Sequence, residues 1–167
     1  AKARGGSVVG VTVDHGLRPE SASEVALVGR WLGARAIPHA VLGWHGTKPT
    51  SGVAAAAREA RYRLLTDWCR RHGLHHLLLA HHADDQTETF VMRLGRGSGR
   101  RGLAGIPASS ERNGVRLLRP LLGIPKERLR DTLRGFAQPW IEDPSNDNLK
   151  YGRTTTRRGL LRLAAVA

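Results

Sequence analysis

Short apolar runs alternate with stretches of helical periodicity along the chain, and this alternation is what most limits the possible folds. Three of the runs are too short for helices and are bounded by turn residues or charge, which predicts buried strands. A fourth, weaker run also predicts a strand. The four predicted strands are Ser7–Val13, Ala40–Leu42, His76–Ala80 and Val115–Leu118.

Helices are predicted between and after these strands. The first begins near Ser21, where Ser21 and Glu24 have the spacing of a capping box, and continues with apolar residues to Leu32. The others are Val53–His72, Asp84–Arg96 and Pro125–Phe136, the last with proline at its first helical position. Strand and helix alternate at the spacing of βαβ units, which predicts a parallel sheet with helices on both faces.

The predicted sheet indicates where ligands should bind. In open parallel sheets, ligands lie beyond the carboxyl ends of the strands. Three segments follow predicted strands in this way: Asp14–Gly16, Gly43–Lys48 and His81–Asp85. Two further segments, Gly97–Pro107 and Asp143–Thr156, are predicted to be loops or linkers rather than core.

The charge balance narrows the class of partner. The 167 residues, about one domain's worth, include 27 Lys and Arg against 14 Asp and Glu, a net charge of +13. The electrostatic field of such a positive charge favours a polyanionic partner, and nucleic acid is the first candidate. A genome-wide preference for Arg, Ala and Gly explains the excess of positive charge about equally well. No apolar run approaches the ~18 residues of a membrane span, so no membrane partner is expected.

A single cysteine, Cys69, excludes a disulfide framework within the sequence, which is compatible with a cytoplasmic location. The sequence has no initiating Met, and its first six residues have no apolar core. We therefore expect the chain to start inside a longer protein rather than with a signal peptide.

The densest group of chemically active side chains lies at His81–Thr89, where a predicted strand ends and a helix begins. Asp85 and Glu88 are three residues apart and share a helix face, where carboxylates can bind a lysine ammonium or Mg²⁺. Helix capping by Asp84 or Asp85 is the simpler alternative, but it does not account for two adjacent histidines and three acids together. A divalent-metal hydrolase with further ligands from Asp14–His15 is a second chemical alternative.

Arginines flank a Gly-Ser-Gly segment after this helix. Glycines let backbone amides approach a phosphate and arginines supply charge, so a nucleotide or nucleic-acid contact is predicted here. A Gly-Ser-Gly segment by itself is usually only a flexible turn. The residues concerned are Arg93, Arg96, Ser98, Arg100 and Arg101.

These segments, in this order, resemble the tRNA(Ile)-lysidine synthases. The matching stretches are Val13–Ser21, Ala55–Leu65, Ala80–Thr89, Arg93–Gly99, Gly102–Pro107, Leu118–Leu122 and Trp140–Asn146. The resemblance implies an α/β fold, a Rossmann-like doubly wound parallel sheet of the adenine nucleotide α-hydrolase type, with a helical C-terminal part. It implies an enzyme that uses ATP and Mg²⁺ to adenylate C2 of the wobble cytidine of an isoleucine tRNA, after which free L-lysine displaces AMP.

The resemblance also implies roles for individual residues. The implied catalytic residues are His81, His82, Asp84 and Asp85, and the implied lysine-binding residues are Arg61, Asp85 and Glu88. Asp14 and His15 are the implied nucleotide-binding residues, and the resemblance assigns no metal ligand. Contacts to tRNA are implied for Arg93, Arg96, Ser98, Arg100 and Arg119. Members of the family are often dimers, so a homodimer is an expectation.

The sequence also departs from the family pattern. Family members begin with a strand and a Ser-Gly-Gly-x-Asp-Ser loop whose amides bind pyrophosphate, and this sequence contains no such loop. We therefore expect a chain that is incomplete at its N-terminus and inactive in lysine transfer by itself. Residues 1–122 are expected to form a partial nucleotide-binding domain, and residues 123–167 a helical extension of the catalytic domain. A metal-dependent phosphohydrolase and a basic RNA-binding module without chemistry are the alternative functions.

Overall fold

The computed structural model describes residues 5–100 and 102–142. The elements in this part of the chain are β1 (Gly10–Asp14), α1 (Ser21–Gly33), β2 (His39–Gly43), α2 (Val53–Arg71), β3 (His76–Leu78), α3 (Ala83–Leu94), a 3₁₀ turn (Gly102–Ala104), β4 (Ser109–Arg112), β5 (Val115–Leu118) and α4 (Lys126–Gly135). None of the described helices is both long enough and apolar enough to cross a membrane. Arg101, the predicted loop Asp143–Thr156 and most of the motif Trp140–Asn146 lie outside the described residues.

The first sheet consists of β1 and β2. The two strands are parallel, and their register runs from Gly10 opposite His39 to Asp14 opposite Gly43. The amide of Trp44 extends the pairing by donating to the Asp14 carbonyl at 2.8 Å. The parallel arrangement predicted for these strands is therefore confirmed, and the residues that follow both strands emerge at the same edge.

The second sheet has three strands in the order β3–β5–β4. β4 and β5 form a hairpin whose two turn residues, Asn113 and Gly114, have φ values of 51° and 72°. Asn-Gly with both residues in the left-handed region is the pairing that a two-residue type I′ hairpin turn favours. β4 was not among the predicted strands, because Ser109–Arg112 carries no apolar signal.

The described residues fall into two compact units. The first contains residues 5–77 and 112–115, and the second contains residues 78–100, 102–111 and 116–142. Most of the buried side chains of the first unit are on α2, namely Ala60, Tyr62, Leu65, Thr66 and Cys69. Residues on both sides of the predicted boundary after Leu122 belong to the second unit, and that boundary stays a prediction.

Two predicted helix starts are wrong in detail. Ser21 is the first residue of α1, and no side chain caps this helix. The Ser21 hydroxyl donates to the Asp14 carboxylate instead, and Glu24 accepts from Arg18 at 2.8 Å, so both members of the predicted capping box are engaged elsewhere. Pro125 precedes α4 at the N-cap position and is not its first helical residue.

The four described helices end in the same way. After each helix, an amide bonds back to a carbonyl five residues earlier across a residue in the left-handed conformation, which is the Schellman motif. The left-handed residues are Ala36, Gly73, Gly97 and Ala137. Glycine tolerates this conformation without steric cost, whereas alanine does not.

We expect Ala36→Gly to stabilise the protein by about 0.5–1 kcal/mol. A left-handed residue with a Cβ costs roughly 1–2 kcal/mol, and the greater freedom of glycine in the unfolded chain offsets about 0.4–1 kcal/mol of the gain. Ala36 is exposed, so no packing is lost. Urea unfolding measures the change, and Ala26→Gly, at an exposed interior position of α1, is the control that should destabilise by about 1 kcal/mol. Equal destabilisation by both changes would contradict the expectation.

Candidate active site

Asp14 ends β1 and organises the turn into α1. Its Oδ1 accepts the Gly16 amide at 2.8 Å and also the Ser21 hydroxyl. The Ser21 hydroxyl and then the Gly16 amide hold the pKa of Asp14 below its ordinary value. Asp14 is thus a carboxylate at neutral pH that fixes the loop carrying His15, and this is a structural role beside the predicted nucleotide contact.

His15 lies in a setting suited to an uncharged ring. Burial, and then the nearby positive charge of Arg61, hold the pKa of His15 below its ordinary value, so the imidazole is neutral at pH 7. Its Nδ1 is buried and has no hydrogen-bond partner among the described residues. The ring meets Trp44 edge to face at a centroid distance of 5.8 Å.

Lys48 completes this cluster of the first unit. Its Nζ donates to the Gly16 carbonyl at 2.8 Å and lies 5.7 Å from the Trp44 ring centroid. The neutral imidazole of His15, the indole of Trp44 and the positive charges of Lys48 and Arg61 together favour an anionic ligand with a flat ring. The prediction chose the Gly43–Lys48 segment from its place after a strand but singled out neither Trp44 nor Lys48.

The histidine-aspartate group lies in the second unit, at the start of α3. His82 precedes the helix, and its amide donates to Asp85 Oδ2 at 2.9 Å. The His82 ring lies between two carboxylates, with Nε2 3.6 Å from Asp85 Oδ2 and Nδ1 3.9 Å from Asp84 Oδ1. These distances are too long for hydrogen bonds but allow electrostatic interaction.

Asp84 connects α3 to α4. Its Oδ1 accepts the amide of Lys126, the first residue of α4, at 3.1 Å, and the adjacent Ala83 amide donates to the Ile124 carbonyl at 3.0 Å. The capping alternative is therefore correct in part: Asp85 accepts a backbone amide at the start of its own helix, and Asp84 does so for a different helix. The side chains remain partly accessible, with exposed fractions of 41% for Asp84, 29% for Asp85 and 19% for His82.

The predicted lysine-binding residues occupy both units. Glu88 lies on α3, three residues after Asp85 and partly exposed. Arg61 lies on α2 in the first unit, close to His15. His81, beside His82, is partly buried. Among the residues that the structure describes, no three His, Cys, Asp or Glu side chains are grouped to hold a metal ion.

The predicted tRNA-binding residues differ in accessibility. Arg96 and Arg100 are exposed, and Ser98 is partly exposed. Arg93 is partly buried, and its Nη1 donates to the Gly105 carbonyl at 2.9 Å. Arg119 is only 7% exposed and donates to the Pro107 carbonyl at 2.8 Å and the Ser110 hydroxyl at 3.1 Å. Burial and these bonds give Arg119 a structural role, and its contact with RNA stays a prediction.

Comparison with known proteins gives the class first. The PP-loop domain family matches residues 1–164, and the chain belongs to this family. A solved U34-tRNA thiolase from Methanococcus maripaludis has a similar fold, with a TM-score of 0.70 at 15% identity, over 94% of this chain and 62% of the thiolase chain. The predicted α/β fold class is confirmed.

The similar curated proteins are more specific. The chain is 50% identical to the tRNA(Ile)-lysidine synthase of Ruegeria pomeroyi over 153 residues, which is 92% of this chain and 36% of that protein. It is 48% identical to the tRNA(Ile)-lysidine synthase of Rhodopseudomonas palustris over 162 residues, 97% of this chain and 47% of that protein. The resemblance read from the motifs is confirmed, and the chain spans less than half the length of these relatives.

Proposed function

We propose that this chain is the nucleotide- and lysine-using part of a tRNA(Ile)-lysidine synthase, a carbon–nitrogen ligase of tRNA processing. One observation carries the proposal. Eight relatives with that name are 43% to 50% identical to the chain over 89% to 98% of its length.

The proposed reaction has two steps. The C2 oxygen of the wobble cytidine attacks the α-phosphorus of ATP, which forms the adenylated cytidine and releases pyrophosphate. An amine of L-lysine then attacks C2, the C2–oxygen bond breaks, AMP leaves, and the amine loses a proton. The enzyme must therefore bind a second, protonated ammonium of lysine and accept the proton of the attacking amine.

The second unit supplies groups for both tasks. Asp85 and Glu88, three residues apart on α3, are proposed to bind the lysine ammonium, because two carboxylates on one helix face attract a cation. His82, with Asp84 and Asp85 on either side, is proposed to accept the proton. We retain His81 as a neighbouring catalytic residue and Arg61 as the partner of the lysine carboxylate.

The first unit is proposed to bind ATP through the loop of Asp14 and His15. The neutral His15 ring and the Trp44 ring suit a purine, and Lys48, whose Nζ lies 5.7 Å from the Trp44 ring centroid, supplies positive charge. Mg²⁺ is proposed to arrive with the ATP phosphates, as it does in most nucleotide sites.

Arg96, Ser98 and Arg100 are proposed to contact tRNA. The protein is also proposed to be cytoplasmic and homodimeric.

A segment exchange tests the proposal directly. In the Ruegeria pomeroyi enzyme, the 153 matching residues are replaced by the corresponding residues of this chain, and incorporation of labelled lysine into an isoleucine tRNA transcript is measured. We expect incorporation that depends on ATP, as in the parent enzyme.

Measurements of tRNA binding, melting and phosphate release on the same chimera separate the alternative functions. ATP-independent tRNA binding without lysine incorporation, by a chimera that melts like its parent, would favour the RNA-binding module and contradict the proposal. Metal-stimulated phosphate release without any use of lysine would favour the phosphohydrolase. The parent enzyme and a reaction without ATP are the controls.

A further inference from the structure

Four consecutive carbonyl oxygens, from Gly105 to Ala108, each accept a hydrogen bond from a donor outside their own segment. Arg93 donates to Gly105 at 2.9 Å, and Gln86 Nε2 donates to Ile106 at 2.8 Å. Arg119 donates to the next two, through Nη1 to Pro107 at 2.8 Å and through its amide to Ala108 at 2.9 Å. Backbone carbonyls outside helices and strands need partners from elsewhere in the protein, and here α3 and Arg119 supply one for each of the four.

Two of these donors are on α3, the helix from which the preceding loop departs. At the start of the loop, the amides of Gly97 and Ser98 bond back to Leu94 and Arg93. The loop that carries Arg96, Ser98 and Arg100 thus leaves α3 and is tied back to α3 at its other end. We call residues 95–100 and 102–107 the anchored loop.

Gln86 makes the most specific of these contacts. Its side-chain amide both donates to the Ile106 carbonyl at 2.8 Å and accepts the Ile106 amide at 2.6 Å, as a neighbouring β-strand would. Only Asn and Gln side chains both donate and accept through one amide group, and Asn is one methylene shorter. Gly105 leaves room for this contact, because a Cβ there would lie 2.7 Å from Gln86 Oε1.

We propose that Gln86 is a positioning residue for tRNA. It holds the anchored loop against α3, the helix that also carries Asp84 and Asp85. Arg96 and Arg100 on the loop then meet the RNA at a fixed distance from these two carboxylates. The proposal rests on the proposed function, from which it takes the RNA contact of the loop. A loop that is ordered before binding does not have to lose its freedom on binding, so affinity rises without any new contact.

A double-variant cycle on the 167-residue chain tests the proposal. Gln86→Leu, Arg100→Ala and the double variant are each titrated with isoleucine tRNA. We expect Gln86→Leu to weaken binding roughly fivefold, Arg100→Ala about tenfold, and the double variant little more than Arg100→Ala alone, because coupled residues are not additive. Gln86→Glu, which retains only the acceptor, should fall between Leu and the native residue.

A control excludes a general loss of stability. Leu117→Ala removes a side chain that is 3% exposed in the same unit and should lower the melting temperature at least as much as Gln86→Leu. Measured well below both melting temperatures, its tRNA affinity should equal that of the native chain.

The outcomes separate the two proposals. If Arg100→Ala and Arg96→Ala leave tRNA affinity unchanged, the proposed RNA contact of the loop is wrong. If those variants weaken binding but Gln86→Leu does not, or if the effects of Gln86→Leu and Arg100→Ala are fully additive, only the positioning role is wrong. Equal loss of affinity in Leu117→Ala also overturns it, because loss of stability would then be the cause.

Discussion

In the segment-exchange enzyme, Asp85→Asn is expected to raise the KM for lysine, or lower kcat/KM, by about ten- to a hundredfold. Loss of one charge-assisted hydrogen bond costs roughly 1.5–3 kcal/mol, and Asp85 is one of the two proposed partners of the lysine ammonium. The change should leave the helix intact. Asp85 accepts the His82 amide through one oxygen, and the Asn side chain keeps a carbonyl oxygen that can accept the same hydrogen bond.

Affinity for tRNA is expected to stay the same or rise slightly, because removal of a carboxylate weakens no contact with phosphate. Steady-state kinetics with varied lysine, a tRNA titration and a melting curve measure the three quantities. Asp131→Asn is the matched control: it removes an exposed carboxylate of the same unit, which pairs with Arg134 on α4, and should not alter lysine kinetics. Unchanged lysine kinetics in Asp85→Asn would mean that this carboxylate serves only the helix.

Secondary structure could be predicted from the sequence where the signal is local. The predicted bounds of β5, Val115–Leu118, match the observed strand, and those of α2 differ by one residue, because apolar periodicity and flanking turns mark both. β4 has a polar sequence, and the Asn113–Gly114 turn was its only signal. The capping box failed because the partner of Ser21 is Asp14, seven residues earlier in a different element.

The sequence predicts which polar side chains cluster in the candidate site, but it does not predict the hydrogen bonds that they make. His82, Asp84 and Asp85 lie together because they are neighbours in sequence at a strand–helix junction. Their partners and those of nearby residues are distant: Lys126 is 42 residues from Asp84, and Ile106 is 20 residues from Gln86. One sequence contains no signal for such pairs, so it does not reveal that Arg93 and Arg119 also hold the backbone of Gly105 and Pro107.

Binding of tRNA by the chain is expected to weaken about a hundredfold between 50 and 200 mM salt. If about four phosphates are neutralised, log K falls with log salt at a slope of roughly 3 to 3.6, and a net charge of +13 makes contacts of this number reasonable. Pairing among surface charges does not remove this excess, because each ion pair uses one charge of each sign.

The location of the charge decides the size of the effect of a single substitution. Arg96→Ala and Arg100→Ala together should lower the slope by about 2, one unit for each lost phosphate contact. Arg134→Ala removes one positive charge, as Arg96→Ala or Arg100→Ala does alone, but from a group already paired with Glu127 and Asp131, so its slope should change by far less than one unit. Fluorescence titrations at five or six salt concentrations give the slopes. A curve that is flat across this range would exclude phosphate contacts as the source of affinity, and an equal change in all three arginine variants would show that net charge alone, without the loop, attracts the RNA.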